Sequence, residues 1–337
     1  MEYRTLGRTG VQVSALCLGT ANFGFKTPEH DACPVMQTAL DAGMTLFDTA
    51  DSYNDGESER IIGRFLKETG QRDRVLLATK VFYPVGQGLN NRGLSRYHIL
   101  RACEDSLRRL QTDRIDLYMT HRSASSTIPL DETLGAMTDL VRQGKVGYIG
   151  CSTHPAWEIM EALMVSEMKG LARYVAESSP YNLLDRRVEN ERVPLCRKYG
   201  LAMLPWSPIA MGMLAGRYPL GQPFPDGSRA AANPEGIYAQ RINRRGLEVA
   251  ARLPEIAARY GLTPAQAALL WVKDQPGVTA PIIGPRSLEQ LNEMLAVADL
   301  HADDGLRAAF DELNPPGMAV SHFHNTSKWM KATVERD

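Results

Sequence analysis

Short apolar runs alternate along this chain with stretches whose apolar positions recur every three to four residues. Polar or glycine-rich turns separate the two kinds of segment. The short runs predict strands over Ala15-Leu16-Cys17-Leu18-Gly19-Thr20, 44–48, 75–80, 115–120, 146–151, 174–176, 201–204 and 280–284. The periodic stretches predict a first helix closing at Asp41-Ala42-Gly43, with the glycine where a left-handed backbone is needed. Further helices are predicted over 57–68, 95–110, 130–143, 156–168, 188–198, 246–260, 264–274 and 288–298. Ile61, Ile62, Phe65 and Leu66 share one face of the second helix; Ile99, Leu100, Cys103, Leu107 and Leu110 share one face of the third. Thr263-Pro264-Ala265-Gln266 and Ser287-Leu288-Glu289-Gln290 read as capping boxes that open helices.

Eight strand–helix units in alternation mean parallel strands joined by crossover helices. Eight units close into an α/β fold, the (β/α)8 TIM-type barrel, of about 250 residues plus insertions. The expectation is therefore one barrel domain over 1–337, with residues 2–13 as a β-hairpin plugging its bottom. A long irregular loop over about 208–245 and an extra C-terminal helix and tail over about 315–337 complete it. A doubly wound open sheet competes, but no Gly-x-Gly-x-x-Gly follows any strand; the first ends in Gly19-Thr20-Ala21-Asn22.

Composition narrows the function. Of 337 residues 44% are hydrophobic, enough for a substantial core, and the net charge is −1 without long single-sign runs. Nothing points to nucleic acid or an acidic membrane surface. Arg186-Arg187 and Arg244-Arg245 are short basic pairs expected on solvated faces. Cys17, Cys33, Cys103, Cys151 and Cys196 are odd in number and widely spaced, which argues against a disulfide framework and against a metal site. No apolar run nears the roughly 18 residues of a membrane span, and Met-Glu-Tyr-Arg-Thr-Leu-Gly is no signal peptide. A cytoplasmic protein is expected.

Barrels of this kind carry their sites at the C-terminal strand ends. Asp48, Lys80 and His121 end three consecutive predicted strands, and Tyr53 follows the first of these in Asp51-Ser52-Tyr53-Asn54-Asp55-Gly56. Each has a plainer reading: a structural ion pair for Asp48 and Lys80, a surface tyrosine, a satisfied core histidine. Together on one rim they make a proton-transfer site. A phenol titrates near 10, a neighbouring ammonium is expected to lower that value, a carboxylate anchors the ammonium, and a histidine orients an oxygen. The four carry no hydride, so a cofactor must supply one.

Several segments resemble the aldo-keto reductase signatures. They are 47–59 around Asp48 and Tyr53, Ala78-Thr79-Lys80-Val81, 114–122 around His121, and 144–152 ending in Cys151-Ser152. The likeness runs from about residue 1 to 315, and looks closest to the bacterial aryl-alcohol dehydrogenase and sugar-ketoreductase branch. It implies NADP(H) as cofactor and reduction of a small-molecule carbonyl, an aryl carbonyl or a ketosugar, with Tyr53 as proton donor. It also implies that Arg286, after Gly284 at a helix start, meets the 2′-phosphate and that Gln290 approaches the adenine. Trp206 would stack on the nicotinamide, Ser207 and the backbone near Gly212 would line the pyrophosphate, and Ser152 would bind the carboxamide. Three positions depart from the family pattern: Thr153 after Ser152 where Asn is usual, Ser178 where Gln is usual, and Met294 where Asn is frequent.

Substrate walls are expected from Phe23, Phe25, Phe82 and Tyr83, and from the tail Ser321-His322-Phe323-His324 onward to Trp329. Tyr218, Arg229 and Tyr238 lie on the long loop, with Arg229 expected toward phosphate. Two other functions stay open: a dehydrogenase working chiefly in the oxidative direction on an alcohol or sugar, and a non-catalytic NADPH-sensing subunit like the potassium-channel beta subunits of the family. No extra N-terminal segment or charged docking surface favours the last. A homo-oligomer is compatible with the sequence.

Overall fold

A computed structural model describes residues 1–123 and 127–326. Its first elements are a hairpin, β1 (Tyr3–Thr5) and β2 (Gln12–Ser14), and then the first barrel strand β3 (Cys17–Gly19). There follow α1 (Glu29–Asp41), β4 (Leu46–Asp48), α2 (Glu57–Thr69), β5 (Leu76–Val81), α3 (Arg96–Leu110), β6 (Ile115–Thr120) and α4 (Leu130–Arg142). The second half holds β7 (Val146–Ser152), α5 (Ala156–Lys169), β8 (Tyr174–Ser178), α6 (Arg192–Tyr199), β9 (Ala202–Met203) and α7 (Arg229–Ala232). It ends with α8 (Arg244–Ala250), α9 (Leu253–Ala258), α10 (Pro264–Lys273), β10 (Ile282–Ile283), α11 (Leu288–Leu295) and α12 (Asp304–Leu313).

The eight strands β3 to β10 form one parallel sheet in the order β10-β3-β4-β5-β6-β7-β8-β9. Its two ends meet through single bridges, Met203 with Val278 and Trp206 with Ile282, which close the (β/α)8 barrel. The amide of Ile282 donates to the Pro205 carbonyl at 2.7 Å across this seam. Leu6 and Val13 of the hairpin are fully buried in the inner cluster with Cys17, Leu46, Ala78 and Leu117, so the hairpin does plug the barrel.

Strand alternation aims the candidate residues. Leu46 packs inside the barrel while Phe47 packs outward among the helices, so Asp48 returns to the inside. In β5 the inner column is Leu76, Ala78 and then Lys80; in β6 it is Leu117, Met119 and then His121. Each polar group thus crowns a column of apolar residues at the C-terminal mouth.

Three expectations need correction. The helix predicted over 188–198 begins only at Arg192, after a 3-10 turn at Arg187–Glu189, which puts Pro194 in its first turn where a missing N–H costs least. The helix predicted over 246–260 is two helices, broken before Pro254, which has no N–H to continue the ladder. Arg186 is not solvated: its side chain is 3% exposed, paired with Glu189 at 2.7 Å and Asp311 at 2.6 Å, and lies 4.9 Å from the Trp271 ring centre. Its neighbour Arg187 is half-buried on Asp185 at 2.6 Å, whereas Arg244 is exposed as expected. The long loop over 208–245 holds a 3-10 turn at Ala210–Ala215, helix α7 and a second 3-10 turn at Ala239–Arg241. All five cysteines are free thiols. Among the described residues no helix is long and apolar enough to cross a membrane.

Candidate active site

A cavity of about 1060 Å³ opens at the C-terminal mouth of the barrel and runs outward to the start of α11. Asp48, Tyr53, Lys80 and His121 all line it. Lys80 and Asp48 are almost wholly buried, and the Lys80 ammonium donates to Asp48 Oδ1 at 2.5 Å and to the Thr49 carbonyl at 2.8 Å. Burial presses the Lys80 pKa down, but Asp48 and Tyr53 outweigh it and hold the ammonium charged above its usual range.

The Lys80 nitrogen lies 5.3 Å from the centre of the Tyr53 ring, and the Tyr53 and His121 rings meet edge-on at 5.7 Å. Lys80 pulls the Tyr53 phenol down, as expected, and Arg122 adds to it. Burial outweighs them both, so the phenol sits above its usual range and is held protonated. Burial also drives His121 well below the usual imidazole value, with Arg122 and Lys80 adding to it; the ring is neutral. Its Nδ1 is buried and has no hydrogen-bond partner among the described residues.

Ser152 and Ser178 are buried at the ends of adjacent strands. Ser152 Oγ donates to the Ser178 carbonyl at 2.9 Å, while Ser178, which lines the cavity, has an Oγ without a partner among the described residues. Thr153, at φ 58°, holds its hydroxyl where both Trp206 Nε1 and Arg122 Nη1 donate to it at 3.3 Å. Trp206 is half-buried on the cavity wall and fixed at the barrel seam through its backbone. Among the described residues seven other than glycine have positive φ: Asn54, Asp55, Gln111, Thr153, Ser207, Ala210 and Met211. All but the helix cap Gln111 sit on the loops around this mouth, so backbone strain is concentrated where a ligand would be held.

At the outer end the cavity is cationic. Lys26, Arg217, Arg229 and Arg286 line it together with Gly212, Gly284 and Gln290. Lys26 spends one bond on the Gly227 carbonyl, and burial with the nearby Arg229 and Arg217 depresses its pKa. Ser287 caps α11 by accepting from the Gln290 amide at 3.3 Å. Gln290 does not return the bond to Ser287 as a capping box would; its Oε1 accepts from the Arg286 amide at 2.9 Å. That leaves the Gln290 amide nitrogen as a donor toward the cavity.

The structure separates the expected substrate walls. Tyr83 lines the cavity, its ring 5.0 Å from that of His121. Phe23 is instead fully buried in the helix-facing core, because its backbone turns inward to pair with Thr27. Phe82 packs against that core and edge-on against Tyr83, away from the cavity. Phe25 is exposed. In the tail Phe323 and His324 are buried, with His324 on Asp185 and Arg192; the tail's cavity residue is Thr326. Trp329 lies outside the described residues. Tyr218, Arg229 and Tyr238 of the long loop do line the cavity. Sequence reasoning missed Arg122 and Arg241. The first stood next to His121 and was readable there; the second lies in a 3-10 turn with no local signal.

Residues 15–315 match the model of the aldo/keto reductase family. An uncharacterized oxidoreductase, YrpG, from Bacillus subtilis is 41% identical over 327 residues, 94% of this chain and 97% of its own. A probable voltage-gated potassium channel subunit beta from Oryza sativa is 35% identical over 89% of this chain and 92% of its own. A putative voltage-gated potassium channel subunit beta from Schizosaccharomyces pombe is 36% identical over 87% of each.

Proposed function

The chain belongs to the aldo/keto reductase family, and we propose that it is an NADPH-dependent reductase of aldehydes or ketones. One observation carries this reading: a phenol, a buried ammonium–carboxylate pair and an imidazole stand at one end of a cavity whose other end is lined by four cations with no carboxylate partner among the described residues.

The residues fit a dinucleotide. Trp206 offers an aromatic wall for the nicotinamide, and the unpartnered Ser178 Oγ offers the bond that a carboxamide needs. Lys26, Arg217, Arg229 and Arg286, with the N-terminus of α11, offer charge for a pyrophosphate and a third phosphate. That surplus favours NADPH over NADH. When bound, NADPH supplies the hydride received by the carbonyl carbon.

The chain's own residues handle the proton. Tyr53 donates its phenolic proton to the carbonyl oxygen, and the Lys80 ammonium stabilises the phenolate left behind. Asp48 holds Lys80 in place and charged. His121, neutral, orients the oxygen by a hydrogen bond. One hydride and one proton convert the carbonyl to an alcohol.

The test is NADPH consumption against aryl aldehydes, quinones, ketosteroids and ketosugars. Tyr53→Phe should lower turnover at least about 100-fold while NADPH binding stays within about threefold. Full activity in that variant would refute the role of Tyr53. The likeness to potassium channel beta subunits supports a second reading, a cofactor-sensing subunit. On that reading NADPH binds tightly and no carbonyl is turned over.

A further inference from the structure

Arg241 is 4% exposed, yet no carboxylate among the described residues pairs with it. Its Nε donates to Asn325 Oδ1 at 2.9 Å and its Nη1 reaches only the weak acceptor Met211 Sδ at 3.7 Å. A guanidinium has five N–H donors, so three remain unspent on the described residues. The rings of Trp206, Tyr238 and Phe323 surround the group at 5.2, 5.5 and 5.6 Å. Burial pushes its pKa down to about 10, with Arg122 and Arg229 adding repulsion, so it is still charged at neutral pH.

Arg122 repeats the pattern beside the reaction centre. Its Nη1 donates to the His121 carbonyl at 2.6 Å and to Thr153, and its Nε is buried without a partner among the described residues. Its guanidinium carbon lies 5.5 Å from the Tyr83 ring centre. Thr153 and Trp206 link the two arginines in an arc along the cavity wall. By contrast Arg186, equally buried, has Glu189 and Asp311. Buried charges are paired as a rule, so a buried and a half-buried arginine that face a cavity with no carboxylate partner among the described residues mark a place for an external anion.

We infer that Arg122 and Arg241 form an anion subsite, and that the carbonyl substrate carries a carboxylate or phosphate a few bonds from its carbonyl. This rests on the reductase reading, since the anion is taken to belong to the molecule being reduced. Arg241 fixes it from the Trp206 side and Arg122 from the His121 side.

The test compares 4-carboxybenzaldehyde with its methyl ester, and 4-formylphenyl phosphate with 4-hydroxybenzaldehyde, by kcat/KM with NADPH. Titration calorimetry of 4-(hydroxymethyl)benzoate and its methyl ester on the NADP-loaded protein runs alongside. Wild type should prefer the anionic member of at least one pair more than tenfold, which tells carboxylate from phosphate, and the preference should shrink with added salt. Arg241→Gln and Arg122→Gln should each cut that ratio at least fivefold, and Arg241→Lys should restore part of it. Arg122→Gln guards against misfolding of the more buried Arg241 variant. Equal use of both members of both pairs by wild type overturns the subsite and leaves the reductase reading standing. Selective binding of the benzoate without any turnover supports the subsite and sinks the reductase reading. An Arg241→Gln protein that keeps the ratio but loses NADPH affinity tenfold assigns the group to the cofactor and overturns the proposal.

Discussion

Replacing Lys80 by methionine removes the only cation that pairs with Asp48 among the described residues, and nearly keeps the side-chain volume. Asp48 then stays buried as an uncompensated carboxylate, and the Thr49 carbonyl loses its donor. Breaking one side of a buried pair costs about 3–5 kcal/mol. At roughly 2.1 cal/mol/K per residue over 337 residues the unfolding entropy is about 0.7 kcal/mol/K, so Tm should fall by about 4–7 °C. Adding Asp48→Asn removes the stranded charge and should recover about half of that loss. The pH dependence has a definite sign. Burial already raises the Asp48 pKa, and losing Lys80 raises it further in the folded state. A raised folded pKa gives stability that is complete below the unfolded value and lost as pH rises through the folded one, so the deficit should be smaller near about pH 5 than near about pH 8. Differential scanning calorimetry of the two single variants and the double variant reads all of this. A Lys80→Met protein within about 1 kcal/mol of wild type, or a double variant no better than Lys80→Met, would refute the claim that the pair is coupled and buried.

Arg286→Ala should weaken NADPH binding about 10–100-fold and NADH binding by less than about threefold, read by fluorescence titration; equal losses would remove Arg286 from the 2′-phosphate. The kcat/KM for reduction should show no step near the ordinary histidine value, because His121 titrates well below it, and should fall only as pH rises through the elevated Tyr53 value. A rate falling between about pH 6 and 7 would contradict the neutral imidazole. Gly63→Ala in α2 should destabilise despite alanine's helix preference of about 1 kcal/mol, since the new Cβ would lie 2.5 Å from the Arg109 carbonyl oxygen. Urea denaturation showing a more stable variant would contradict that close helix contact.

The barrel was legible because its signals are local. Each strand ends in its own turn, and the mouth residues Asp48, Lys80 and His121 follow from where apolar runs stop. Helix breaks at Pro194 and Pro254 were also written in the sequence, though a periodicity reading runs through them. The substrate wall was less legible. Phe23 and Phe82 sit in loops whose backbone direction, set by contacts far along the chain, decides whether an aromatic faces the cavity or the core. Arg186 looked like a surface charge because its partner Asp311 is 125 residues away. Arg241 was invisible for the same reason: its surroundings come from Trp206, Asn325 and Phe323, and no short window contains them.

The barrel seam bears on how such a molecule responds to what it binds. Elsewhere adjacent strands share ladders, but the segments carrying β9 and β10 are joined by the isolated bridges Met203–Val278 and Trp206–Ile282 and a few hydrogen bonds around them. That joint lies directly beneath the cavity, with Trp206 and Ser207 on one bank and Gly284 and Arg286 on the other. A ligand touching both banks acts as a rivet across this seam of the cylinder. Occupancy therefore reaches beyond the site: it sets how readily the barrel unzips, and thermal protection would report a bound molecule before any chemistry is known.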